Sequence, residues 1–526
     1  MRRTGLQVFF WLAIWPLTSV WGQIPGTLDL SFGDRGRARV HVGADDQVAA
    51  LLGDAAGNIY LAGQVAEYLP VADLDFLLVK LDPSGRLDPD FGMGGYLRGD
   101  LAGFANSRIV AADLQDSAIV FLAEVNRGAP DTQSVVIGKL DLRGNFDPEF
   151  GNDGIFCADF VGTFNAGGDI RILGDGRLLF CGTTSDTSAW HLEMPLIGRL
   201  DAVGRRDSSF GTAGIRVWRQ ANGLTDARVQ HNDGGRFQAL LDLGDRYLFG
   251  GSFFTSVHAT GMLMLCDSAG ELVPEFGTAG VWFPDLNPGQ STVISDLVRH
   301  GDGIAIGAQV DEYFGDTDLY VLQMDLTGEN VGVETFDLAG NHDGLRGMLG
   351  DEFGQLMVAG ESRFPESTAP GYTSDLFVLT VVDEDLRLIA DYGQQGHFWW
   401  GLEGEEAGAT AIGRTPEGDV LLAGYRADTA AGNLFDVQVL RLHHGAVVAR
   451  PESILVPRAA GYLYPNPASD RLWLRGGTAR FADIYDLRGR KVMAQQPLGP
   501  GIWVAHLPAG MYVLEVAGRR YRWVKR

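Results

Sequence analysis

The motif FGxxG returns five times, starting at Phe32, Phe91, Phe150, Phe210 and Phe276, and two degenerate copies follow, FDLAG from Phe336 and YGQQG from Tyr392. Successive anchors are 59, 59, 60, 66, 60 and 56 residues apart. A period of this length constrains the chain more than any other feature, because each unit is a supersecondary piece that cannot bury its apolar face alone and must stack on its neighbours. Seven anchors mean seven units.

Ahead of most anchors lies a strand and turn of one type: LLVKLDPSG before Phe91, VVIGKLDLRG before Phe150, LIGRLDAVG before Phe210 and LMLCDSAG before Phe276. Asp followed three residues later by Gly is hairpin chemistry, the carboxylate accepting from nearby backbone amides while Gly takes a positive φ. After the anchors come paired β-rich runs around a Gly-containing turn, VAALLGDAAGNIYLAG at 48–63 and AIGRTPEGDVLLAG at 411–424. Each unit therefore supplies four strands, A (VAALLGD), B (NIYLAG), C (FLLVKLD) and D (GYLRGD). The expected fold is all-β, a seven-bladed β-propeller over residues 23–448. The isolated D-type strand GRARVHV at 36–42 is expected to complete a last repeat that stops after the C-type strand DVQVLRL at 436–442, leaving no open edge.

The chain has 72 glycines in 526 residues without a collagen period, which fits many tight turns. Cys157, Cys181 and Cys266 show no CxxC spacing and read as single buried thiols in strands. Residues 1–22, with Arg2 and Arg3 ahead of VFFWLAIWPL, read as a secretory signal peptide, and no later stretch has the apolar length of a transmembrane helix. Residues 449–461 form a proline-containing linker, and 462–526 a small Ig-like β-sandwich. Residues 23–458 carry 29 basic against 63 acidic side chains, whereas 459–526 carry 11 against 4. So acidic a body argues against nucleic acid, whose binding depends on Lys and Arg neutralising phosphates.

The anchors with their LD and DxxG preludes resemble the delta-60 repeat family of bacterial exported proteins, which implies a propeller-like fold and brings no catalytic residues. Copies six and seven depart from it: Asp337 replaces the anchor glycine, Tyr392 the phenylalanine, and DEDL at 383–386 lacks the turn glycine. The tail, with YPNPASDRLWLRG from Tyr464, IYDLRGRKV from Ile484 and LPAGMYVLEV before a basic last strand, resembles the type A sorting domain of the type IX secretion system of Bacteroidota. That resemblance implies the secretion machinery as partner of 462–526, and a secreted or outer-membrane surface-attached protein.

No HExxH, GxSxG or GxxxxGK[ST] motif occurs, and no catalytic residue, metal site or cofactor is assigned. Asp73, Asp75, Asp316, Asp318, Asp375 and Asp436, at the entry to C strands, read as loop caps, since none forms a spaced calcium loop. His443 and His444, adjacent in a strand, point to opposite faces and do not chelate jointly. Propeller topology puts the variable B-to-C and D-to-A loops on one face, and binding residues concentrate on loops held by a rigid scaffold. Tyr68, Trp190, Phe253, Phe254, Tyr313, Tyr372, Trp399 and Trp400 form the candidate binding face. The leading expectation is a non-catalytic binder of a glycan or protein partner. The alternatives are a hydrolase or lyase acting on extracellular polysaccharide, with carboxylates such as Glu67, Glu312 and Glu405 converging, and a structural or adhesive surface component.

Overall fold

The computed structural model describes residues 25–444 except 68–72, 105, 127–132, 159–163, 186–192, 219–233, 255–258, 285, 287–289, 312–316, 326, 329–331, 337–342, 364–374, 402–404 and 429–433; it further describes 462–525 except 465–470, 476–480, 487–489, 498–501, 509 and 517–518. The leader 1–22 and the linker 449–461 lie outside the described residues. The chain divides into two compact units, Met1–Val447 and Val448–Arg526. Among the described residues both are all-β.

In the first unit the strands pair as successive antiparallel meanders. The first comprises Asp45–Gly53, Ile59–Glu67, Asp73–Leu81 and Tyr96–Gly99, and the pattern recurs along the chain to give a propeller-like all-β body. The last group, Glu405–Arg414, Val420–Asp428 and Leu434–Leu442, takes its fourth strand from the other end of the chain. Arg37–Val40 runs antiparallel to it, Arg37 opposite Leu440 and Val40 opposite Val437. The expected completion of the last repeat by the first strand is what the pairing shows.

Burial explains the sequence pattern. The second strand of each meander is covered on both faces, so Ile59–Glu67 and Ala118–Asn126 read as apolar runs with little alternation. Clusters such as Tyr60, Phe76, Phe91, Ile109, Phe121 and Val136 fill the space between neighbouring groups. Each fully buried Phe, Leu or Val contributes about 1.5–3 kcal/mol, which makes these interfaces the main source of stability.

The repeated motif is the device that joins one group to the next. Phe32, Phe91, Phe150, Phe210 and Phe276 are at most 2% exposed. Each ring lies against the glycine of the following group's DxxG turn. A Cβ on Gly85, Gly144, Gly204, Gly270 or Gly328 would stand 2.8, 3.1, 3.0, 2.9 or 2.7 Å from the ring of Phe32, Phe91, Phe150, Phe210 or Phe276 respectively. Gly85 also has φ +84, so a side chain is refused there on two counts. The turn Asp does what its spacing implied: Asp82 Oδ1 accepts the amides of Ser84 and Arg86 at 2.8 and 3.1 Å. The first anchor glycine then donates across the junction, Gly33 to Ser84, Gly151 to Val203 and Gly211 to Ala269, at 2.8–2.9 Å.

At the ring closure the N-terminal segment imitates such a turn. Gly393 donates to the Pro25 carbonyl at 3.1 Å, Gly26 lies on the Tyr392 ring, and Gly26 and Asp29 donate to the carbonyls of His443 and Arg441, both at 2.8 Å. The two degenerate copies behave differently. Tyr392 keeps the anchor position, fully buried. Phe336 instead ends its own strand, Gly332–Phe336, and the next turn carries Leu386 where glycine stands elsewhere.

Of the cysteines, Cys181 and Cys266 are buried, and burial pushes both thiols up. Cys157 is exposed, against expectation, because Ile155–Ala158 is an outer edge strand. The second unit has two antiparallel sheets. Tyr462–Tyr464, Arg471–Arg475 and Ile502–Trp503 form one; Lys491–Pro497, Phe481–Asp486, Gly510–Val516 and Arg519–Lys525, in that order, form the other. Ala482, Ile484, Ile502, Val504, Leu507, Tyr512 and Leu514 make its core.

Candidate functional site

Tyr68, Trp190, Tyr313 and Tyr372 lie outside the described residues. The other expected rings do not form one surface. Phe253 is 3% exposed in the cluster with Trp218 and Phe237, so it serves packing. Phe254, the next residue, faces the other way and stacks under the Arg236 guanidinium at 5.0 Å. Trp399 and Trp400 sit in the edge strand His397–Trp400 and alternate across it, as strand geometry requires. Trp400 meets Phe377 edge-on at 5.4 Å with the Arg37 guanidinium 5.9 Å from its ring, while Trp399 lies 5.6 Å from His397.

Where B strands end and C strands begin, the rim carries carboxylates tied to cations. Arg98 bridges Glu67 at 2.9 Å and Asp75 at 2.8 Å; Arg108 holds Glu124 at 2.6 Å, and Arg236 holds Glu193 at 3.0 Å. Asp436 pairs with Arg39 and with His41 Nδ1 at 2.6 Å. Asp75 and Asp436 thus bond side chains of other strands and are not the loop caps their position suggested. Of the proposed hydrolytic trio, Glu67 is so engaged, Glu312 lies outside the described residues, and Glu405 begins a strand whose side chain is likewise outside them.

One patch on this rim escaped the sequence reading. Tyr425 donates to Glu361 at 2.9 Å, with Asp375 3.5 Å away, and stands edge-on to Phe435 at 5.3 Å. Burial, reinforced by the Glu361 and Asp375 charges, pushes the Tyr425 phenol up. Arg346 pairs with Glu361 from the other side. Tyr425 looked like a strand residue because it is one; only its place at the loop end of a B strand, where Glu67 and Glu124 also sit, could have marked it.

Inside this rim the first strands of all the meanders surround a cavity of about 650 Å³. Every one of these strands carries a β-bulge, between Val48 and Ala50, Ile109 and Ala111, Gly167 and Ile170, Phe237 and Ala239, Ile294 and Asp296, Leu345 and Gly347, and Ala409 and Ala411. Three carboxylates bridge the inner strands by the same rule: each accepts the amide of its own following residue and one from the next meander. Asp113 takes Leu114 and Ile172, Asp169 takes Ile170 and Leu240, and Asp296 takes Leu297 and Met348, at 2.6–3.2 Å. An inner strand edge has no ladder partner, and these side chains satisfy it. Arg171 pairs with Asp169. Burial pushes the Asp296 carboxyl up to about 6, against the pull of its amide bonds and of Arg171.

Residues 462–526 match the family described as the secretion system C-terminal sorting domain. The chain is accordingly exported by the type IX route to the cell surface or the medium. No curated protein matches the sequence. Among solved structures the chain is similar to a phage phi92 endosialidase (8% identity, 93% of this chain and 87% of that one, TM-score 0.40) and a Trypanosoma rangeli sialidase (9%, 93% and 89%, 0.36). It is also similar to an endo-arabinase from Bacteroides thetaiotaomicron VPI-5482 (8%, 54% and 95%, 0.30). Among the described residues no helix is long and apolar enough to cross a membrane.

Proposed function

We propose that the first unit is a closed seven-bladed propeller of delta-60-like repeats from a Bacteroidota-type exported protein, and that it binds a glycan without catalysis on the face of its B-to-C and D-to-A loops. The observation that carries this reading is the state of the rim carboxylates. Glu67, Asp75, Glu124, Glu193 and Asp436 are each held by a cation, and Glu361 by Arg346 and Tyr425. A general acid or base must give up and take back a proton as the reaction proceeds, whereas a carboxylate fixed in an ion pair offers a constant acceptor pattern. Tyr425 and Phe435 supply the ring surface against which a sugar face packs, and Glu361 and Asp375 the acceptors for its hydroxyls.

The test is a glycan screen with the secreted chain, repeated with Tyr425→Ala and Glu361→Gln. Saturable binding that both variants weaken at least tenfold supports the reading. Unchanged binding removes the patch, and release of reducing ends from any bound polysaccharide removes the non-catalytic assignment. A hydrolase stays as the second reading on one observation: the inner cavity holds two carboxylates, Asp296 and Asp169, and burial pushes both up, Asp296 to about 6 and Asp169 in spite of its pairing with Arg171.

A further inference from the structure

Every bulge in the first strands places a residue on the inner cavity, Ala49, Val110 and Gly168 from the first three groups and Gln238, Ser295, Arg346 and Thr410 from the later ones. A bulge re-aims the side chain it carries, and bulges gather beside functional sites. The ring they make here is two-sided. One arc offers methyl groups and bare backbone; the other offers an amide, two hydroxyls and a guanidinium. Ala49 is exposed, while Val110, Gln238 and Ser295 are half-buried. Gln238 and Ser295 make no side-chain hydrogen bond among the described residues. Thr410 donates to the Val48 carbonyl at 2.6 Å, which leaves its oxygen able to accept.

The charged groups along this wall are already matched. Arg171 pairs with Asp169 and Arg346 with Glu361, and Asp296 accepts the amides of Leu297 and Met348 at 2.8 and 2.6 Å. What stays open is neutral hydrogen-bonding capacity opposite an apolar arc. A sugar ring has the matching surface, with hydroxyls that donate and accept around its edge and C–H groups on its faces. The volume of about 650 Å³ falls within the roughly 300–1,000 Å³ of small-molecule sites. We infer that the cavity receives the uncharged terminal sugar of a glycan, seated between the two arcs; this rests on the glycan reading of the rim patch. Arg346 belongs to both places, since it lines the cavity and pairs with Glu361, to which Tyr425 donates at 2.9 Å. Its strand, Asp343–Gly350, starts at the rim, where Asp343 pairs with Ser362. A glycan lying on Tyr425 and Phe435 therefore passes its end by Arg346 into the ring, so that chain ends are recognised and chain interiors are not. Arg299, exposed, also lines the cavity but stands at the turn end of its own strand, next to the pair His300 and Gly303.

The experiment uses the full-length chain and saturation-transfer NMR. The probes are the methyl glycosides of glucose, galactose, mannose, xylose and arabinose, with glucuronic acid and glucosamine as charged controls. The unbranched tetrasaccharide of any sugar that binds is measured beside it. The expected result is that at least one neutral glycoside binds saturably, and more tightly than either charged sugar. Ala49→Phe, which sets a ring into the cavity from an exposed position, and the pair Gln238→Leu with Ser295→Ala each weaken that binding by about tenfold, the loss of roughly one or two hydrogen bonds. Melting temperatures check that the variants are folded, and Ser295→Ala, the mildest change, carries the test where the others are not. Tyr425→Ala weakens the tetrasaccharide more than the glycoside. No saturable binding of a neutral glycoside, or binding that survives the cavity variants, overturns the terminal site. Tighter binding of glucuronic acid, drawn to Arg299, or of glucosamine overturns the neutral class. Tetrasaccharide binding lost with Tyr425→Ala but untouched by the cavity variants keeps the rim patch and removes the cavity; the reverse pattern keeps the cavity and removes the rim patch.

Discussion

Two kinds of junction join the repeats, and they differ at the anchor motif and at the turn that follows it. In one kind the anchor ring of Phe32, Phe91, Phe150, Phe210 or Phe276 is sealed beneath the turn glycine of the following repeat. In the other, between the repeat ending at Phe336 and the next, the residue at the glycine position is Leu386, 3% exposed and held at φ +61. A left-handed leucine costs about 1–2 kcal/mol. It packs among Leu345, Val358 and Val382, filling space that an anchor ring and a bare glycine share elsewhere. Anchor and turn glycine are therefore one device. The ring needs a residue without Cβ above it, and where the anchor residue Phe336 is drawn into the strand Gly332–Phe336 the next turn carries leucine.

The sharpest way to break this comparison is to remove a ring. Phe210→Ala should cost about 3–5 kcal/mol, because it empties a sealed site and strips the partner from Arg199, whose guanidinium lies 4.7 Å from the ring centre. A urea titration followed by tryptophan fluorescence measures it, and a loss below about 1 kcal/mol would show that the rings are passengers in the junction. Leu386→Gly makes the converse test. It gives up about 2–5 kcal/mol of packing and recovers about 1–2 of backbone strain, for an expected net loss of about 1–3 kcal/mol. A neutral or stabilised variant would mean that Leu386 fills nothing.

A smaller effect separates the Phe210 junction by charge. Burial pushes the Asp207 carboxyl up, but the hydroxyl and amide of Ser209 together with Arg177 and Arg199 outweigh it and hold the group well below the carboxylate range. A depressed pKa stabilises the fold above the unfolded value of about 4, and that contribution disappears as pH falls through the lower native value. Melting temperatures taken from pH 5 down to pH 2 should therefore fall less steeply for Asp207→Asn than for the parent. Equal slopes would assign the acid sensitivity to other carboxylates.

Much of this was legible in the chain because it repeats. The FGxxG spacing, the DxxG turns and the isolated strand at 36–42 are local patterns imposed by backbone geometry, and the pairing of Arg37 with Leu440 follows from counting strands. The loss of glycine at Leu386 was visible too, though not that the upstream anchor residue Phe336 ends a strand instead of preceding one. Site residues were harder. Phe253 and Phe254, or Trp399 and Trp400, look alike in a sequence and differ only in which side of the sheet they face. Tyr425 and Glu361 meet across two repeats. Gln238 and Ser295 read as ordinary strand positions, because a bulge leaves no mark in the residues around it.

The smallest effect expected is at the seam where the N-terminal segment closes the ring. Tyr392 holds the anchor position there as the five phenylalanines do elsewhere, but its hydroxyl is buried with no hydrogen-bond partner among the described residues. An unsatisfied buried hydroxyl costs about 1–3 kcal/mol, so Tyr392→Phe, which keeps the ring on Gly26, should leave stability unchanged or raise it by up to about 1 kcal/mol. The comparison is sharpened by melting the variant beside its parent. A gain means that the hydroxyl is idle and the seam is an ordinary junction with one atom too many. A loss means that a buried water bonds the hydroxyl, and the departure from phenylalanine at this one anchor would then have a chemical reason.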